Sequence, residues 1–162
     1  MKIERVVAEP LTVIGKLGSA ADGEGFIERL WDDFKAHFGE IKSSAKLDEN
    51  GGIIGFWGLT KGYPKTYMPW EAGLADGVYL AGVEAVDEYA VAPDGWTKWI
   101  EFSWEYLYTQ ADDELPEVWR YLNENGIDPT DGVWEFFSPE ELWHRNGEKL
   151  LFFPIREAGE PN

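Results

Sequence analysis

Hydrophobic periodicity in this 162-residue chain runs strand, helix, strand, strand, and then repeats the same order. In the first pass, residues 3–17 read as an extended strand with an irregularity at Pro10. Residues 24–41 carry Ile27, Leu30, Trp31, Phe34, Phe38 and Ile41 on one helical face, with Asp22 as N-cap and Gly39 as a weak stop. Residues 53–59 (IIGFWGL) form a strand interrupted by two glycines, and residues 77–85 (GVYLAGVEA) form another. In the second pass, alternation over residues 96–108 sets Ile100, Phe102, Trp104, Tyr106 and Tyr108 on one face. A short helix over residues 115–122 follows, closed by Asn125 and Gly126. Residues 133–137 (VWEFF) are a strand. Ser138, Pro139 and Glu141 make a capping-box start for one helical turn through His144, and after a turn at Asn146 and Gly147 the last strand spans residues 149–156.

The halves echo each other in element order more than in residues: residues 53–59 parallel 133–137, and 79–83 parallel 152–155. The expected fold is therefore α+β, with duplicated β-α-β-β units about a pseudo-twofold axis. An antiparallel sheet carries helices on one side and leaves a central ligand cleft between the halves. The whole chain, 1–162, is expected to be one domain, its halves about 1–92 and 93–157.

Composition narrows the function. Thirty-one Asp and Glu against 14 Lys and Arg give a net charge of −17, which opposes the phosphate neutralisation that duplex binding requires. Direct nucleic-acid binding is not expected, and no protein partner is identifiable. The absence of Cys fits a reducing compartment. With no apolar leader and no span of membrane length, a cytoplasmic, membrane-free protein is expected.

The two histidines, His37 and His144, sit on separate expected helices with no ligand-pair spacing, so neither a metal nor a cofactor is expected. Asp128 and Asp131 lack the later Glu of a calcium loop and read as turn formers. Residues 18–25 are Gly-rich but no Gly-Lys-Ser/Thr follows, and no Ser lies in a nucleophile elbow. Nine Trp exceed what such a core needs, and Trp lines pockets for flat or cationic ligands.

One carboxylate stands apart. Glu135 shares one strand face with Val133 and Phe137, while Trp134 and Phe136 take the other. A carboxylate on an apolar face is either solvated at a rim or withdrawn from water, and withdrawal costs several kcal/mol without a partner.

The chain resembles the GyrI-like small-molecule-binding proteins, relatives of the effector-binding domains of AraC- and MerR-type bacterial transcription regulators. The resemblance rests on residues 11–16 (LTVIGK), 79–83 (YLAGV), the turn 93–96 (PDGW), 133–137 (VWEFF) and 152–156 (FFPIR). It implies an aromatic-lined pocket for lipophilic, often cationic, compounds, as in multidrug binding, with an acidic residue at the position of Glu135. The wall expected around it comprises Trp57, Trp104, Tyr106, Phe137 and Phe153. Because residues 1–22 read as strand and loop, a stand-alone binding domain is expected. The resemblance also admits a cofactor-free hydrolase of strained electrophiles, with Glu135 as general base beside Tyr106, and an acidic protein-interaction module of gyrase-inhibitory type.

Overall fold

The structure, a computed structural model, describes residues 4–8, 10–61, 77–101, 104–110, 115–126 and 134–157. Among these described residues, eight strands are joined by antiparallel ladders into one sheet: β1 (Glu4–Ala8), β2 (Leu11–Ser19), β3 (Phe56–Lys61), β4 (Val78–Glu84), β5 (Thr97–Glu101), β6 (Trp104–Gln110), β7 (Trp134–Phe137) and β8 (Lys149–Glu157). Their order is β1-β6-β8-β7-β3-β4-β2-β5. It is symmetric about the β3–β7 ladder: β3-β4-β2 runs outward on one side, β7-β8-β6 on the other. The edge strands are exchanged, because β1, which precedes β2, pairs with β6, while β5, which precedes β6, pairs with β2.

That exchange curls the sheet. β1 and β2 lie six positions apart in the order, about 29 Å in a flat sheet at ~4.8 Å per strand. Three residues of chain, from Ala8 to Leu11, can span only about 11 Å. The register agrees: Ala8 faces Trp104 and Leu11 faces Glu101, so three steps forward along one chain are three steps back along the other. The two ladders keep one register on either side of Pro10, and the sheet must fold round to bring its ends together.

The inner face of the curl gathers side chains from both halves: Val6, Leu11, Val13, Trp57, Leu59, Leu80, Trp99, Trp134 and Phe152. Trp134 is fully buried and donates its Nε1–H to the Thr60 carbonyl (3.2 Å). The outer face is covered by helix α1 (Phe26–His37), whose Trp31, Phe34 and following Phe38 pack on Ile14, Phe56 and Val83. Phe34 contacts Trp31, Phe38, Phe56 and Trp96, with ring centroids 5.3–5.8 Å apart. Helix α2 spans Leu115–Glu124 and helix α3 Pro139–His144.

Several local expectations change. Helix α1 is shorter than residues 24–41, passing after His37 into a 3-10 turn, Phe38–Glu40. Its N-cap is Gly25 in the left-handed region (φ 78°), not Asp22. Asp22 instead accepts the Ser19 N–H (2.8 Å), and the Arg29 guanidinium caps the loop through the carbonyls of Glu24 and Asp22 (2.7 and 2.9 Å). Of the alternating run 96–108, Thr97–Glu101 and Trp104–Gln110 are strand, and Phe102 between them lies outside the described residues. At Ser138 half of the capping box forms: its Oγ accepts the Glu141 N–H (3.2 Å) and also that of Glu148 (2.9 Å). The expected features at Asp128, Asp131 and Val133 lie outside the described residues. No described helix is long and apolar enough to cross a membrane.

Candidate functional site

Glu135 sits in β7 beside the symmetry line of the sheet, facing Gly58 of β3 on one side and Leu151 of β8 on the other. Its side chain is on the helix-bearing face and about one-sixth exposed. Both carboxylate oxygens are engaged. Oε1 accepts the Tyr79 hydroxyl at 2.7 Å, and Oε2 lies 3.0 Å from the Lys149 ammonium. The Tyr79 oxygen in turn accepts the Trp31 Nε1–H at 3.1 Å. A polar relay thus runs from helix α1 through β4 and β7 to β8, and its middle member, Tyr79, is fully buried.

Aromatic rings border this relay. Trp31 stands edge-on to Phe137, with centroids 5.3 Å apart, and the Lys149 Nζ lies 5.2 Å from the Phe137 ring centroid. Phe137 and Lys149 are directly opposed across the β7–β8 ladder. Such an arrangement can hold a cation: a carboxylate supplies the charge, and ring faces add roughly 0.5–2 kcal/mol each.

Gly58 makes the geometry possible. A Cβ there would overlap the Tyr79 hydroxyl and lie 3.0 Å from Glu135 Oε1. The space of one missing side chain lets tyrosine reach carboxylate across the sheet. Glycine inside a strand often marks such a close approach.

The expected wall residues divide. Phe137 shares the face of Glu135 and touches Trp31. Phe153 lies on the same face by register, two residues beyond Leu151, and is fully buried. Trp57 is on the opposite face, edge-on to Phe136 and tilted against Phe152 (ring centroids 5.2 and 5.1 Å apart) within the inner core. Strand alternation separates it from Glu135, so Trp57 and Glu135 do not line one wall. Trp104 and Tyr106 have backbone positions in β6, but their side chains lie outside the described residues.

Tyr79, Trp31 and Lys149 were not singled out by the sequence reading. Tyr79 looked like one more strand residue, and the signal that could have found it was Gly58 in a strand that otherwise carries bulky side chains. Trp31 carries the helical stripe and was absorbed by it.

No family model matches the chain, and no curated protein matches it by sequence. Solved structures do match in fold. SAV2435, solved bound to tetraphenylphosphonium, superposes with a TM-score of 0.64 at 14% identity, covering 96% of this chain and 94% of its own. The EcmrR C-terminal domain gives 0.63 at 9% identity, covering 96% and 98%. A hydrolase from Listeria innocua gives 0.50 at 10% identity, covering 95% and 91%.

Proposed function

We propose that this chain, whose fold is that of the GyrI-like effector-binding domains, binds hydrophobic, cationic small molecules at the Glu135 face, as a sensor or sequestering module. The observation that carries the reading is the state of Glu135. Its carboxylate is largely withdrawn from water, held by the Tyr79 hydroxyl, and bordered by Trp31 and Phe137. A carboxylate so placed favours a cation over a neutral compound, while the rings favour flat or greasy ones. Binding of tetraphenylphosphonium by SAV2435 supports this ligand class.

Recognition would proceed by exchange. The ligand's apolar groups cover Phe137 and the edge of Trp31, its charge approaches Glu135 Oε2, and Tyr79 holds Oε1 in place so that the carboxylate does not reorient. A pre-positioned carboxylate loses less side-chain freedom on binding. Titration of tetraphenylphosphonium against Trp fluorescence tests the proposal: saturable binding that weakens in Glu135→Gln supports it, and indifference to that substitution refutes it.

A second reading has one observation of its own. Glu135 and Tyr79 form a 2.7 Å carboxylate–phenol pair, the kind of contact general acid–base chemistry uses, and one fold neighbour is a hydrolase. On this reading Glu135 would activate water toward an electrophilic ligand, with Tyr79 as its partner in place of Tyr106. Turnover abolished by Glu135→Gln, with binding of the intact compound retained, distinguishes it from binding alone.

A further inference from the structure

We infer that Lys149 is a specificity-determining residue, a tethered cation that occupies the ligand's charge site and must be displaced by any incoming cation. The inference rests on the binding role proposed for Glu135 and adds what governs its selectivity. The Lys149 ammonium makes both contacts that the site offers to a cation: 3.0 Å to Glu135 Oε2 and 5.2 Å to the centroid of Phe137.

Its position suits displacement. Lys149 is the first residue of β8, and its side chain is about one-third exposed against one-sixth for Glu135. The two oxygens of Glu135 are therefore held unequally. Oε1 is fixed by fully buried Tyr79, whereas Oε2 is met by a flexible stem that can swing into water without disturbing the ladder. An ammonium is strongly hydrated and gains water on release, so ligands with a delocalised, weakly hydrated charge are favoured in the exchange. Small, well-hydrated cations gain little from replacing a group like themselves.

Competition of this kind lowers affinity for every cation and leaves neutral ligands untouched. Removing the competitor should therefore tighten cation binding by about two- to fivefold, the scale of a partly exposed ion pair. The experiment compares wild type, Lys149→Met and Lys149→Arg. Each is titrated with tetraphenylphosphonium and with the neutral triphenylphosphine oxide by isothermal calorimetry, after circular dichroism has checked folding. Met keeps the stem without the charge, and Arg keeps the charge.

The expected result is tighter tetraphenylphosphonium binding in Lys149→Met alone, with triphenylphosphine oxide affinity equal in all three proteins. Cation binding by wild type that is unchanged or weakened in Lys149→Met overturns the competitor role and leaves the binding role of Glu135 standing. Equal tightening for the neutral compound also overturns it, by assigning the effect to space rather than charge. No binding of tetraphenylphosphonium by wild type or by Lys149→Met overturns both.

Discussion

Gly58 and Tyr79 lie on neighbouring strands so close that a Cβ on the glycine would overlap the tyrosine hydroxyl. The glycine is what lets that hydroxyl reach Glu135. Gly58→Ala should destabilise the protein by about 1–3 kcal/mol, the scale of overpacking in a tight core. It should also weaken cation binding, since Tyr79 must move. Chemical denaturation and ligand titration on the same variant check both parts.

Tyr79 accepts from Trp31 and donates to Glu135, so Tyr79→Phe strands two polar groups at once. We expect a stability loss of about 1–3 kcal/mol, the cost of leaving buried partners unsatisfied. A shift in Trp emission should accompany it as Trp31 Nε1 loses its acceptor. Equilibrium urea unfolding and fluorescence spectra measure these.

Phe34, fully buried and in contact with four other aromatic rings, anchors helix α1 on the sheet. Phe34→Ala should cost about 3–5 kcal/mol and, by loosening α1, displace Trp31 from the relay. Thermal unfolding reads the first effect.

Ser138 Oγ accepts two backbone N–H groups, those of Glu141 and Glu148. Ser138→Ala should cost about 1–2 kcal/mol with little effect on ligand affinity, because it ties α3 to the turn before β8 rather than touching Glu135. Denaturation and titration together separate the two effects.

The order of strands and helices was legible because the 3.6-residue stripe of α1 and the short apolar runs of β4 and β8, bounded by turn residues, survive in the described structure. The irregularity at Pro10 was visible too: it falls between β1 and β2. What alternation could not reveal was the exchange of β1 and β5 between halves, since pairing partners are set by distant segments. That exchange pairs residues 97–101 with β2 and residues 104–108 with β1, near opposite ends of the strand order. At the site, Glu135 and Phe137 could be named from one strand. Trp57 was placed with them because parity on β3 depends on its register with β7, which pairs Trp57 with Phe136 and Gly58 with Glu135. Tyr79 and Lys149 join the site only through cross-strand geometry.

The most direct test is the affinity of tetraphenylphosphonium for wild type and Glu135→Gln, measured by Trp fluorescence or calorimetry at fixed ionic strength. A loss of about 2–5 kcal/mol, the range for truncating one partner of a buried charge pair, is the predicted result, with triphenylphosphine oxide unaffected. Equal affinity in the two proteins would contradict a cation-recognising role for Glu135.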